Sequence, residues 1–194
     1  MPNKRTRALS SEEFYILIDT IKLGFTTKDG VRIQRNPQIS MILTLQGNLG
    51  LRISDCIRLK LSDIIKENHH YRMNITEQKT GKKREFPVPN EIYQYIMAYM
   101  LENDIKPNQP MFNIGIRAVQ KHLKITADYL NWENIGTHSL RKFYCTELYN
   151  NNGFNIELCR QLMLHSSTQV TIRYIGIQPK QIEDAISKHI KLPA

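Results

Sequence analysis

Along this 194-residue chain the spacing of apolar residues changes character once and then changes back, and that switch constrains the fold most. Between Asp63 and Pro89, Tyr71, Met73 and Ile75 alternate with polar residues, and beyond a Thr-Gly turn Glu85-Phe86-Pro87-Val88 continues the extended pattern. A period of two sends successive side chains to opposite faces, as a half-buried strand requires. On both sides of this segment apolar residues recur three and four apart, the spacing of one helix face. The chain is therefore expected to be mainly α with a small three-stranded antiparallel β-sheet, an α+β domain.

The helical segments carry their own boundary signals. Ser10-x-x-Glu13 is a capping box, and Phe14, Leu17, Ile18 and Ile21 follow at helical spacing, so a helix is predicted from about Ser11 to Leu23, stopping near Gly24. Pro37 opens a second, apolar helix that Gly47 and Gly50 are expected to break. "LRISDCIRLK", with Ile53, Ile57 and Leu61 four apart, reads as a short third helix. Asn90 is placed as the cap of a helix through Met100, and "RAVQKHLKITADYL", "HSLRKFYCTELY", "NIELCRQLML" and "STQVTIRYIG" supply further helices. A last amphipathic helix from Gln178 to His189 would carry Ile182, Ala185 and Ile186 on one face. With no repeat, low-complexity tract or linker, residues 1–194 are read as a single domain, with a basic arm over residues 1–8 and a tail helix over 178–194.

Charge narrows the function classes. Lys and Arg number 27 against 18 Asp and Glu, a net +9, which favours a polyanionic partner, nucleic acid ahead of an anionic membrane surface. Cys56, Cys145 and Cys159 are odd in number and widely spaced, so neither a disulfide framework nor a zinc site is expected, and a cytoplasmic setting follows. The basic start "MPNKRTRALSSEEF" has no apolar run behind it, so no signal peptide or membrane span is expected there. Adjacent His69 and His70 would point to opposite faces of a strand, which argues against a metal site.

Five segments place basic or nucleophilic side chains where an element starts or turns: Arg52 in "GLRISD", Lys79 in "EQKTGKKREFPVP", His138 and Arg141 in "THSLRKF", His165 in "LMLHSS", and Tyr174 in "VTIRYIG". Singly each is weak. Tyr174 is one of nine tyrosines, the histidines read as caps or surface residues, and Lys79 has Lys82 and Lys83 as rivals. In this order, however, they resemble the catalytic domain of the tyrosine recombinase (phage integrase) family. That pattern has an arginine after a Gly-Leu turn, a lysine in a β-hairpin, a His-x-x-Arg helix start, and a tyrosine nine residues after a second histidine or tryptophan. The resemblance runs from about Leu9 to Ile186 and is nearest to compact members made of the catalytic domain alone. Lys142 departs from it, standing where a further histidine is common.

The resemblance implies a site-specific recombinase or integrase acting on double-stranded DNA as a homo-oligomer, a tetramer on DNA, alongside accessory DNA-bending or directionality proteins and without a membrane. Tyr174 would be the nucleophile that forms a 3′-phosphotyrosyl link. The chemistry explains the residue types independently. A phosphorane gathers negative charge on its non-bridging oxygens, and the planar, permanently charged forks of Arg52 and Arg141 suit that charge. His138 would take the tyrosine proton or bond the phosphate, and His165 would donate to another oxygen. A phenol with a pKa near about 10 needs such a cationic surround. Lys79 is the candidate acid for the leaving 5′-oxygen, and Asp55, one turn from Arg52, is expected to orient that arginine. Because the phosphotyrosyl bond conserves the energy of the broken bond, no nucleotide cofactor is expected, and with no carboxylate cluster at ligand spacing in the sequence no metal is expected either. Two alternatives stay open: an inactive DNA-binding accessory protein on the same fold, and a type IB topoisomerase-like relaxing enzyme.

Overall fold

The computed structural model describes residues 6–175 and Ser187. Helix α1 spans Ser11–Leu23 with the expected capping box: the Ser10 hydroxyl accepts from Glu13 N, and the Glu13 carboxylate accepts from Ser10 N. Glu13 also accepts both prongs of the Arg7 guanidinium at 2.6 and 2.7 Å, which holds the end of the N-terminal arm against the helix. Between α1 and α2 (Pro37–Leu49) lies a two-stranded ribbon, β1 (Phe25–Thr26) and β2 (Arg32–Ile33), for which the sequence analysis predicts no strand. Two-residue strands are too short to display alternation.

Helix α2 is the axis of the main core. Ile39, Met41, Ile42, Leu43, Leu45 and Leu49 are buried, so the helix is covered on nearly every side, by α1, by α4 (Asn90–Glu102) and by α6 (Thr137–Asn151). Gly47 does not break it. A side chain at that position would collide with the Phe14 ring, which itself stacks on Phe143 of α6 at 4.6 Å between centroids. The helix ends instead at Gly50, in the left-handed region at φ 59°, where the ring of Tyr144 closes over the glycine and leaves no room for a Cβ.

The third helix is shorter than predicted. Helix α3 covers Ile53–Cys56 only, and the chain then turns into a 3-10 segment at Leu61–Asp63 before the sheet. The sheet is antiparallel in the order β3 (Ile64–Glu67), β4 (His70–Thr76) and β5 (Lys83–Val88), with Met73 between Ile64 and Phe86. On the edge strand β5, Arg84, Phe86 and Val88 face inward while Lys83, Glu85 and Pro87 face out. His69 sits at φ 73° in the turn before β4 and not on a strand face. Pro89 occupies the cap position of α4, and Asn90 is the first helical residue.

Helix α5 (Ile116–Tyr129) packs against α1 and buries Val119, Leu123 and Ala127. Beyond α6, the short helices α7 (Ile156–Leu162) and α8 (Thr168–Ile172) enclose a smaller cluster of Cys145, Cys159 and Met163, on which Tyr144, Leu148, Tyr149 and Tyr174 pack. Tyr174 stands just past the end of α8, not on it. Apart from Ser187, the predicted tail helix over 178–189 lies outside the described residues, as do residues 1–5 of the basic arm. No helix among the described residues is long and apolar enough to cross a membrane.

Gly47→Val should lose about 1–3 kcal/mol of unfolding free energy, because the added atoms enter a packed helix crossing. Urea denaturation checks this, and a neutral result would show that the Phe14–Phe143 stack moves aside freely.

Candidate active site

The end of α2 presents carbonyl groups that the helix itself cannot satisfy, and buried arginines bind them. Arg84 from β5, 2% exposed, donates to Gly50 O at 3.1 Å, Leu49 O at 3.0 Å and Leu162 O at 3.1 Å. Arg141 from the first turn of α6, 1% exposed, also donates to Gly50 O, and to Met163 O at 2.7 Å. These two side chains fasten the α6 start and the sheet to the ends of α2 and α7.

Arg52, at the cap position of α3, adds a third guanidinium and forms an ion pair with Glu77, which is fully buried. Glu77 also lies 3.9 Å from Arg84. Burial opposes the charge on this carboxyl, but hydrogen bonds from Arg52 and Thr80 outweigh it and hold Glu77 below the usual carboxylate range. The expected Asp55–Arg52 partnership is not what forms. Asp55 accepts from the backbone N–H of Gln78 at 3.0 Å, pinning the β4–β5 turn, and Glu77 takes the arginine.

Three guanidiniums stand around one buried carboxylate, and the excess positive charge shows in several neighbouring groups. Arg84 is brought down to about 10 by burial and then by repulsion from Arg141. Arg141 is lowered by burial and Arg52, against opposing pulls from Tyr174 and Glu77. His165, 7% exposed in the loop between α7 and α8, is pushed down to about 4 by burial and by the charges of Arg141 and Arg52. It is therefore neutral at neutral pH. Its Nδ1 lies 3.0 Å from the Thr171 hydroxyl, and when that hydroxyl donates, the proton sits on Nε2 and is available to an acceptor. His138, exposed at the start of α6, is lowered by burial of its ring and by Arg141, Lys79, Lys142 and Arg52.

Tyr174 lies among these groups. A side-chain hydrogen bond links it to Arg141, its ring is 4.6 Å from that of His165, and the His138 ring meets it edge-on at 6.5 Å. Its backbone is held by Thr171 O at 2.8 Å and by the Thr146 hydroxyl at 3.4 Å. Lys79 is exposed at the β4–β5 turn and close enough for its charge to lower His138. All six residues singled out in the sequence thus converge on one side of the molecule, where the main core meets the smaller one. Sequence reasoning missed two members. Arg84 had a readable signal, since alternation puts it on the buried face with Phe86 and Val88. Glu77 had none, because its burial depends on the turn closing through Glu77 N to Lys82 O at 2.9 Å. No group of three or more potential metal-ligating residues occurs among the described residues.

A helical domain carrying a three-stranded sheet, with a tyrosine beside a buried arginine cluster, defines a recognisable class. Residues 27–181 match the family model described as the phage integrase family, and the chain belongs to that family. It is 35% identical over 137 residues to a probable integrase/recombinase of Bacillus subtilis (strain 168), covering 67% of this chain and 72% of that protein. The XerH site-specific recombinase superposes with a TM-score of 0.72 at 18% identity, over 96% of this chain and 54% of its own. The catalytic domain of bacteriophage HP1 integrase does so with a TM-score of 0.65 at 21% identity, over 95% and 96%. These two likenesses concern the fold, and this chain spans about half the length of XerH.

His165 also makes stability depend on pH. Its folded pKa lies below its ordinary 6.5, so the unfolded chain binds the extra proton, and the contribution of neutral His165 is intact above 6.5 and lost as pH falls towards 4. The loss should be roughly 2–3 kcal/mol. Urea unfolding of wild type and His165→Asn at several pH values across that window checks this; equal slopes for the two proteins would contradict it.

Proposed function

We propose that the protein is a site-specific DNA recombinase or integrase that breaks and rejoins DNA through a covalent 3′-phosphotyrosyl intermediate. The observation that carries this is the Tyr174 hydroxyl resting on Arg141, beside His165 and His138, at the edge of a cluster with more positive charge than it neutralises. A DNA phosphate is the ligand such a cluster suits. XerH, which shares the fold, was captured with its palindromic difH substrate in a post-cleavage complex. In this reading residues 1–194 act as a single catalytic domain, working in the cytoplasm as a homo-oligomer, a tetramer on DNA, with accessory DNA-bending or directionality proteins.

The geometry supports the following division of roles. Arg52 and Arg141 receive the non-bridging oxygens, and each donor so placed supplies about 100- to 1000-fold in rate. His165 is neutral, and with the Thr171 hydroxyl donating to Nδ1 it donates from Nε2 to the same phosphate. The Tyr174 oxygen attacks phosphorus and its proton passes to His138, whose lowered pKa leaves the ring unprotonated and receptive. As the bond to the 5′-oxygen breaks, the Lys79 ammonium gives that oxygen a proton. One phosphodiester is exchanged for another, so the step requires no nucleotide as an energy source. Reversal on a second strand completes the transfer.

A duplex nicked next to the scissile phosphate, from which the 5′-hydroxyl fragment diffuses away, should trap wild type as a denaturant-stable adduct. Tyr174→Phe should lose the band entirely, and Arg141→Ala should slow its formation by about 100-fold or more. Replacing the 5′-oxygen with sulfur, a leaving group that needs little protonation, should rescue Lys79→Ala but not Arg52→Ala. Absence of a wild-type adduct on DNA to which the protein assembles would favour the accessory-protein reading. Relaxation of supercoiled DNA without strand exchange would favour the topoisomerase-like one.

A further inference from the structure

We propose that Glu77 is a positioning residue that ties the Arg52 clamp to the Lys79 turn, so that one buried carboxylate sets both the phosphate-binding arginine and the leaving-group acid. The inference rests on the recombinase reading and deepens it. Its basis is the pattern of anchors around Lys79. The residue before it, Gln78, donates its backbone N–H to Asp55 Oδ1 at 3.0 Å, and the residue after it, Thr80, donates its hydroxyl to Glu77 Oε2 at 2.7 Å. That same Glu77 oxygen is the one paired with Arg52.

The clasp is reciprocal. The segment at α3 contributes a cation, Arg52, and an acceptor, Asp55; the turn contributes a carboxylate, Glu77, and a backbone donor, Gln78. Inside it the turn closes on itself, with Gly81 N donating to Glu77 O at 2.8 Å and Gly81 at φ 66° reversing the chain. Lys79 is left exposed at the crest, with Gln78 fixed to the arginine-bearing segment and Thr80 to the carboxylate that pairs with Arg52. A long lysine on an unanchored turn would spend much of its time away from the 5′-oxygen. Anchored in this way, its reach is referred to the position of Arg52.

Simple charge balance would make Glu77 a structural residue only, and the Thr80 hydroxyl distinguishes the two roles, because its removal leaves the buried ion pairs in place. Thr80→Val should fold as wild type and form the adduct about tenfold more slowly on an ordinary phosphodiester, the loss expected for one hydrogen bond to a charged group. With sulfur in place of the bridging 5′-oxygen, that deficit should vanish, since only leaving-group protonation has been disturbed. Glu77→Gln should be slower by about 100-fold on both substrates, because Arg52 is loosened as well. A Thr80→Val protein that cleaves at the wild-type rate, or whose defect persists with the thiolate, overturns the tether.

A measurement on the free protein tests the tether whether or not DNA is cleaved. Hydrogen exchange at Gly81 N should accelerate about tenfold in Thr80→Val and likewise in Arg52→Ala, where Glu77 loses its main partner. Unchanged exchange in Arg52→Ala means that the arginine and the turn are independent and refutes the proposal. Failure of wild type to form an adduct while this exchange pattern holds would count against the recombinase reading and not against the tether.

Discussion

The carbonyl of Gly50 receives two buried guanidiniums, those of Arg84 and Arg141, and the rest of the architecture depends on that junction. Burying a charged group is expensive unless it is paired or fully hydrogen-bonded. Here the compensation comes chiefly from backbone carbonyls at the ends of α2 and α7, which lack partners of their own, and from the single carboxylate of Glu77. Helix ends and arginines therefore stabilise one another. Because carbonyls carry no net charge, the cluster stays positive after these acceptors have been considered, and the proposed function uses this residual charge to receive a phosphate. The αL conformation of Gly50 makes the junction possible, since any Cβ there would strike the Tyr144 ring.

The junction also places the site at a seam. The main core around α2 fixes Arg52, Arg84 and the base of Arg141, whereas the smaller cluster of Cys145, Cys159 and Met163 supports Tyr174. Tyr174 is thus held by a separate and lighter set of contacts than the arginines beside it. The three free cysteines are all buried, and burial raises each thiol, Cys145 to about 12, so they act as packing residues in this region.

How much of this was legible in the sequence depended on the range of the forces involved. The α1 limits were read correctly because a capping box and helical spacing are local. The six-residue set was read from an ordered motif, and the structure brings all six together. Misreadings came where distant packing decides. Gly47 signals a break by propensity, yet it serves as a seat for Phe14; Asp55 is well spaced for Arg52, yet a backbone N–H from the turn claims it. Arg84 was hidden by its type, since arginine on an alternating strand suggests the outer face unless register with Phe86 and Val88 is followed strictly. Glu77 is intelligible only once Arg52 and the hairpin are adjacent in space.

The central claim is that Tyr174, resting on the arginine cluster, carries the DNA strand. Its most direct test is to digest the trapped adduct with protease and nuclease and to locate the residual nucleotide by mass spectrometry. The account predicts one modified peptide, containing Tyr174, joined through its phenolic oxygen to a 3′-phosphate. Attachment to any other residue, or to a 5′-phosphate at Tyr174, would contradict it.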